Sequence, residues 1–441
     1  YLGGYLRRYG PNKDSLKIFD LSVQSEDYVL ENIKASDVIG LSATNKDAIY
    51  LKSVFSKIRK SNKNIILGGP VVSSLGAEIF EHFDVDFAVI GEGERTFFEL
   101  IENFAYGNPP IESIKGIIYK NGKTNGKREL IEKLDEEIPP PAWDLVLEDH
   151  LSEEYWKRKS MSIFRYGERY MGLFTSRGCP YRCIYCHDIF GKGFRSHSPE
   201  RVLSEIEYLY TNYNIRDFEF YDDIFNFDKE RAKAICDLIC EKGLKINMYF
   251  PNGLRCDRLD DELLDKLARA GTKLICFAFE TVSERLQKFI KKNLRLDKVN
   301  NMLKVAVDKG IYTHGFFMLG FPTETKEEMK QTISFASRSL LHSAAFFITT
   351  PQKGTELYSK FIGDDVPQVL GVGYYDYPDS ISEVSTKEFI KIRNYAYIRF
   401  YLSPKRILRM LRALPLSFFF RKKFFFSQVV KWFYLILKKK Q

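Results

Sequence analysis

Three cysteines hold the most legible chemistry of this chain: Cys179-Pro-Tyr-Arg-Cys183-Ile-Tyr-Cys186, a Cys-x3-Cys-x2-Cys spacing directly after the apolar run Tyr170-Met-Gly-Leu-Phe-Thr175. A cubane iron-sulfur cluster needs four ligands, and a loop this short wraps three thiolates around three irons while the fourth iron stays free for a small molecule. Open coordination positions are where metal chemistry happens. A zinc site completed by His187 is the plainer alternative. Structural zinc pairs two distant ligand arms, however, and Cys236, Cys240, Cys256 and Cys276 supply no second arm. Disulfides are disfavoured by the odd number of cysteines, seven, by the lack of a secretory signal before them and by a chain too long to need staples.

Those thiols need a scaffold that delivers them from a strand end. From residue 170 onward, apolar runs near 170–175, 218–223, 246–251, 273–280, 312–321 and 344–350 alternate with helical patterns. This alternation predicts an open (β/α)6 partial barrel, with its working residues at the carboxyl ends of the strands. Helix signals fit between them. Ser198-Pro199-Glu200 offers an N-cap followed by proline, Thr325 and Glu328 form a capping box, and Val299, Leu303, Ala306 and Val307 share one face of a helix ending at Gly310.

A second alternation runs from residue 16 to 105, with β-rich runs at Leu16–Asp20, Asp37–Ser42, Asn64–Gly68 and Asp86–Gly91. It predicts a parallel sheet with helices on both faces. The last three runs end in Ser42-Ala43-Thr44, Gly68-Gly69-Pro70 and Gly91-Glu92-Gly93-Glu94. The carboxyl ends of such a sheet form the ligand crevice, and glycine there lets backbone approach a large cofactor, although any one of these turns would suit a tight bend alone. Residues 106–165 read as a connector with a hairpin around Asn121–Gly126 and the breaker Ile138-Pro-Pro-Pro-Ala-Trp143. The expected architecture is α/β: a Rossmann-like domain over 1–130, a linker over 131–165, the partial barrel over 166–385 and a helical extension over 386–441.

The chain has 441 residues, 44% apolar and 28% charged, which is ordinary globular composition with room for two domains. Its net charge of +9 is concentrated at one end, because residues 403–441 hold eleven Lys and Arg and no Asp or Glu, leaving the rest at −2. A nucleic-acid footprint over the body is therefore not expected. No run approaches a spanning helix, so the cytoplasm is the default compartment. The tail alternates basic and aromatic blocks, Phe418-Phe-Phe-Arg-Lys-Lys-Phe-Phe-Phe426 and Lys431–Lys438. Such blocks suit peripheral contact with an anionic inner membrane surface, or equally a terminal helix with a solvated basic edge. The chain opens at Tyr1 without methionine, in a helix stopping at Gly10, which reads as a fragment that begins late.

With these residues in place, the chain resembles the radical S-adenosylmethionine (radical SAM) enzymes, in the subgroup with an N-terminal cobalamin-binding domain. The resemblance covers nearly the whole chain. It implies that Cys179, Cys183 and Cys186 hold a 4Fe-4S cluster, and that the three small-residue turns Ser42–Thr44, Gly68–Pro70 and Gly91–Glu94 cradle cobalamin. A His lower ligand marks many corrinoid proteins, but no histidine precedes His82, and the resemblance implies a His-off corrinoid. For SAM it implies Tyr185 near the adenine, and Tyr221, Asp222 and Asp223 at the second strand end, where carboxylates can accept from the methionine ammonium. A plainer job for Asp223 or Asp228 is capping the next helix. At the fourth strand end Glu280 would meet the ribose hydroxyls, although the family's glycine after it is missing. Gly320-Phe321-Pro322 belong to a segment that matches the family's Gly-Phe-Pro-Gly-Glu-Thr except at Thr323, a turn whose backbone amides and carbonyls would reach the adenine or the tail of SAM, and Lys353 replaces a family proline in Pro351-Gln-Lys-Gly-Thr-Glu-Leu-Tyr358.

The activity implied is reductive cleavage of SAM to a 5′-deoxyadenosyl radical, followed by methylation of an unactivated carbon through methylcobalamin, with a flavodoxin- or ferredoxin-type electron donor and a small-molecule or lipid-like substrate. Cobalamin-assisted oxidation or cyclisation without methyl transfer is one alternative, and a non-catalytic zinc and corrinoid protein is another. Methylthiotransferases add three more cysteines in an N-terminal domain, and no cysteine precedes Cys179. His187, His197 and His314 read as packing or surface residues, and Cys236 with Cys240 as core.

Overall fold

The structure is a computed structural model and describes residues 1–11, 15–59, 63–119, 122–152, 162, 165–167, 169–366, 368–371 and 380–414. The chain forms two compact units that interleave in sequence. The first comprises Tyr1–Lys159, Arg177–His197 and Pro351–Gly373, and the second Ser160–Ser176, Ser198–Thr350 and Tyr374–Gln441.

Helix α1 (Leu2–Tyr9) opens the first unit and stops at Gly10. A five-stranded sheet follows in the order β1 (Val38–Ser42), β2 (Asn64–Gly68), β3 (Phe87–Val89), β4 (Ile117–Tyr119), β5 (Lys123–Thr124); the first three are parallel and the last two antiparallel. Alternation explains the near-continuous apolar runs. Ile65, Leu67 and Ala88 enter one core, covered by Ala48, Leu51, Val54, Phe55 and Ile58 of helix α2 (Ala48–Ile58), while Ile66 and Val89 enter another, covered by Leu100 of α3 (Glu94–Tyr106). Leu16–Asp20, expected as a strand, enters no ladder: Phe19 packs on the core, and Asp20 accepts from the amide and hydroxyl of Ser22 in a turn. β-rich composition marks an extended, half-buried surface and does not supply a hydrogen-bonded neighbour.

The second unit contains a six-stranded, all-parallel sheet: β6 (Tyr170–Leu173), β9 (Asp217–Phe220), β10 (Asn247–Leu254), β11 (Thr272–Glu280), β12 (Tyr312–Leu319) and β13 (Ser343–Ile348), neighbours in chain order. A short ribbon, β7 (Ser176–Arg177) with β8 (Arg195–Ser196), lies between β6 and β9 in sequence. On one face of the large sheet the rings of Phe277, Phe279, Phe317 and Phe346 stack in a row running from β11 across β12 to β13, at centroid distances of 6.0, 5.4 and 5.4 Å. On the other, Tyr249, Leu274, Cys276 and Tyr312 form a separate core.

The connecting helices bear out their sequence signals. α4 (Pro199–Tyr213) is capped by the Ser198 hydroxyl, α5 (Lys229–Glu241) by Asp228, and α6 (Leu296–Asp308) buries Val299, Leu303 and Ala306. α7 (Lys326–Arg338) carries the reciprocal Thr325–Glu328 capping box. The described chain closes with α8 (Thr386–Tyr401) and α9 (Pro404–Ala413). The aromatic-basic blocks at 418–426 and 431–438 lie outside the described residues. Among the described helices none is long and apolar enough to cross a membrane.

Candidate functional site

The cysteine loop leaves the β7–β8 ribbon through Gly178, at φ +81°, where a Cβ would sit 2.1 Å from the Gly193 carbonyl oxygen; only glycine closes the base of this loop. Cys179 and Cys183 are half-buried and Cys186 exposed, with the Cys186 amide donating to the Cys183 carbonyl at 3.1 Å. Among the described residues no three His, Cys, Asp or Glu side chains could hold a single metal ion together. A cubane distributes its thiolates over separate irons, so three accessible thiols on one irregular loop fit a cluster without converging on one point. Cys236, Cys256 and Cys276 are buried core side chains, and that burial pushes their thiols far up.

Two arginines brace this loop. Arg177, two residues before Cys179, donates to Glu92 at 3.2 Å and to Glu94 at 2.6 Å. Arg195 grips Glu92 with both terminal nitrogens at 2.9 and 3.1 Å, and also donates to the carbonyls of Ile131 and Phe190, each at 2.7 Å. All four charged side chains are at most 7% exposed. Burial alone would raise the Glu92 carboxyl, but Arg195, Arg177 and the Ile131 amide outweigh it and hold the pKa below its ordinary value. The sequence reading gave Glu92 and Glu94 to the corrinoid; in the structure both carboxylates are spent on the arginines that flank the cysteines. Arg177 and Arg195 carried no signal of this, since their partners lie some eighty to one hundred residues away.

The remaining strand-end turns of the first unit are built from glycine and small residues. Gly69 sits at φ +88°, and a Cβ there would meet the backbone nitrogen and oxygen of Ala43 and the Ser42 hydroxyl at 2.8–2.9 Å; Gly91 is at φ +73°. Ser42, Thr44 and Pro70 are exposed, Gly68, Gly69, Gly91 and Gly93 half-exposed. Ala43 is buried, donating to the Gly68 carbonyl and accepting from the Val71 amide, and Thr44 is tied to Asp47 at 2.7 Å. An edge of glycine and small side chains of this kind fits a corrinoid.

The segment after β13 belongs to the first unit too. Gln352 accepts from Asn45, the Lys353 carbonyl from Ser74, and the Lys353 ammonium pairs with Glu78. The Lys353 amide donates to Gln368 at 2.7 Å, a bond that the family's proline could not make. The Leu357 amide reaches the carbonyl of Ile184 inside the cysteine loop at 2.7 Å.

In the second unit the expected SAM residues have distinct surroundings. Asp222 is buried and accepts from the Thr175 amide at 2.6 Å, the Thr175 hydroxyl at 2.8 Å and the Ser176 amide, while Arg231 donates to the Thr175 carbonyl at 2.7 Å. Burial raises the Asp222 pKa against the opposing pull of Arg231 and these donors. Its carboxylate thus orders the residues after β6, a task the sequence did not reveal, whereas Asp223 is exposed. The Tyr221 ring fills the space a side chain at Gly172 would take, and its hydroxyl donates to Glu219. Tyr185, in the first unit, is half-buried.

Glu280 ends β11 in the left-handed region at φ +63°; its carboxylate accepts from Lys292 at 2.9 Å, both side chains buried. In the Gly320-Phe321-Pro322-Thr323-Glu324 turn, the Gly320 and Phe321 amides, expected to serve a ligand, instead donate to Glu324 at 2.6 and 3.0 Å. Glu324 is fully buried with its other oxygen unpartnered, and burial pushes its pKa to about 8. Thr323 stands at φ +63° where the family has glycine, held by Arg285 through its hydroxyl at 3.1 Å and its carbonyl at 2.7 Å. His314 is buried beside Ser343 and driven by that burial to about 3, His197 pairs with Asp135 at 2.7 Å, and His187 is exposed.

Comparison with known proteins agrees with this layout. Residues 1–101 match the B12 binding domain and residues 173–336 the Radical SAM superfamily. The chain is 32% identical over 385 residues to the uncharacterized methyltransferase PH0819 of Pyrococcus horikoshii, covering 85% of this chain and 80% of that one. It is 26% identical to cytidylyl-2-hydroxyethylphosphonate methyltransferase of Streptomyces wedmorensis, covering 88% and 80%. Its fold is similar to that of the radical S-adenosylmethionine methyltransferase TsrM from Kitasatospora setae, solved with cobalamin and a 4Fe-4S cluster, with a TM-score of 0.66 and 17% identity over 82% of this chain and 71% of that one. The chain belongs to the radical SAM superfamily, in the group with a B12-binding domain. It is a radical SAM enzyme, and a 4Fe-4S cluster, SAM and cobalamin are the cofactors of that group. The non-catalytic zinc and corrinoid alternative falls with that membership.

Proposed function

We propose that the chain is a cobalamin-dependent methyltransferase acting on an unactivated carbon of a small or lipid-like molecule, in the cytoplasm, with electrons from a flavodoxin- or ferredoxin-type donor. The observation that carries this reading is Glu92, at the end of the B12-domain sheet, shared by the two arginines that brace the cysteine loop. Cluster and cobalamin, when bound, supply the electron for SAM cleavage and the carrier of the methyl group.

The chain's residues bind and orient. Cys179, Cys183 and Cys186 hold the cluster, and Arg177 and Arg195 fix the ends of their loop. Ser42, Thr44, Gly68, Gly69, Pro70, Gly91 and Gly93 cradle the corrinoid by backbone and small side chains. For SAM, Asp223 accepts from the ammonium, and Glu280, paired with Lys292 at 2.9 Å, accepts from ribose hydroxyls. Tyr221 and Asp222 keep the ends of β9 and β6 in shape, and the Gly320–Pro322 turn shapes the adenine's surroundings.

The test uses the full chain, reconstituted anaerobically with iron, sulfide and cobalamin, and given a reductant and SAM deuterated at its methyl group, with products read by mass spectrometry. Deoxyadenosine together with S-adenosylhomocysteine is the expected result. Deoxyadenosine alone would replace methyl transfer with cobalamin-assisted oxidation, and neither product from an iron-loaded protein would overturn the reading.

A further inference from the structure

The last two described helices expose apolar side chains that the proposed chemistry does not use. Of eighteen large hydrophobic residues exposed among the described residues, six fall between Tyr395 and Leu411. Tyr395, Ile398 and Leu402 recur at the i, i+3, i+7 spacing of one helical face along α8 into the following turn, and Leu402 is 65% exposed. Ile407, Leu408 and Leu411 continue on α9 at three- and four-residue spacing, each 43–48% exposed.

Arg406 fixes which way α9 faces. Buried over the ring of Phe400 at 3.7 Å, its guanidinium donates to the carbonyls of Ala336, Ser337 and Ser339 at 2.8–3.2 Å and to that of Leu341. Ala413 and Leu414 pack against the Tyr249–Tyr312 core. With that side anchored, Ile407, Leu408 and Leu411 stay outward, bordered by exposed Lys405 and Arg412.

Charge identifies the occupant. From Phe389 to Gln441 the sequence holds fourteen Lys and Arg and no Asp or Glu. A second copy of the chain would set two equally basic faces against each other. Nucleic acid would neutralise the charge but leave aliphatic side chains in water. An anionic bilayer answers both features, taking up leucine and isoleucine at the acyl boundary while its headgroups meet lysine and arginine.

We propose that the outward face of α9, continued by the Tyr395–Leu402 stripe, docks this enzyme on an anionic lipid surface. The test is co-sedimentation of the full, anaerobically reconstituted chain with vesicles of phosphatidylcholine alone or containing phosphatidylglycerol. Expected are binding to the anionic vesicles only, weakened by salt, and a loss of about tenfold or more in partition for Leu408→Glu with Leu411→Glu, from apolar surface withdrawn and charge added. Unchanged circular dichroism and iron content in that variant exclude misfolding. Full chain remaining in solution, an unchanged partition in the double variant, equal binding to both vesicle types, or self-association abolished by the variant without lipid binding would each overturn the proposal.

Discussion

Glu92 and Glu324 are both buried carboxylates at strand-end turns, one in each unit, and they are stabilised in opposite ways. Glu92 is met by two guanidinium groups and stays ionised, its pKa below the ordinary value. Glu324 is met by two backbone amides, with no salt-bridge partner among the described residues; burial raises its pKa to about 8, which favours the protonated form around neutral pH. At Glu92 a buried charge is offset by charge, across segments distant in sequence, whereas at Glu324 burial is met by backbone donors from the same turn. An ion pair ties separate segments into one body, while an amide-capped acid shapes only its own turn.

The largest break in that contrast should come from Arg195→Ala. It leaves Glu92 buried with half its counter-charge, and a loss of about 3–5 kcal/mol of unfolding free energy is expected, read from urea midpoints. Iron retained per chain should fall with it. A loss under about 1 kcal/mol would mean that the pair is no brace.

Opposite pH slopes are the second consequence. With its folded pKa raised from 4.5 to about 8, Glu324 contributes stability that is full below pH 4.5 and is lost as pH rises through 8. The limit is about 1.4 kcal/mol for each pH unit of that window. Glu92, with its folded pKa lowered, contributes above its ordinary value and loses that contribution as pH falls through the folded one. Glu324→Gln should therefore gain on the parent protein between pH 5 and 8 in matched denaturation curves, and a constant difference across that range would show Glu324 ionised throughout.

Two departures from the family pattern sharpen the comparison at smaller scale. Lys353→Pro, restoring the family residue, removes the ion pair with Glu78 and the amide bond to Gln368, and should cost about 1–3 kcal/mol in the same assay. Thr323→Gly restores the family glycine where a β-branched residue is held at φ +63°. Relief of about 1–2 kcal/mol there is offset by losing the Arg285 contact to the Thr323 hydroxyl, so a small gain, up to about 1 kcal/mol, is expected in thermal midpoint measurements.

The apolar runs made all six barrel strands legible, because a parallel sheet buried on both faces writes itself as continuous hydrophobic sequence. The caps at Ser198 and Thr325 were legible because their partners lie within three residues. Leu16–Asp20 misled, since pairing depends on a neighbour that composition cannot supply. Glu92, Glu94 and Asp222 were marked as special by their place at strand ends, but what they bind was hidden: Arg177, Arg195 and Thr175 are distant in sequence and show no pattern with them. Asp222 shows the limit best, as the same aspartate at the same strand end would read identically whether it met a ligand or the backbone of Thr175.

The interleaving of the two units has a consequence for how such a chain can change over generations. The residues that carry the cysteines and the strap around Lys353 are encoded within the barrel's stretch yet fold with the B12 domain. Neither domain is a cassette. Exchanging the B12 segment alone for that of a distant cousin would separate Glu92 and Glu78 from the arginines and the lysine they meet.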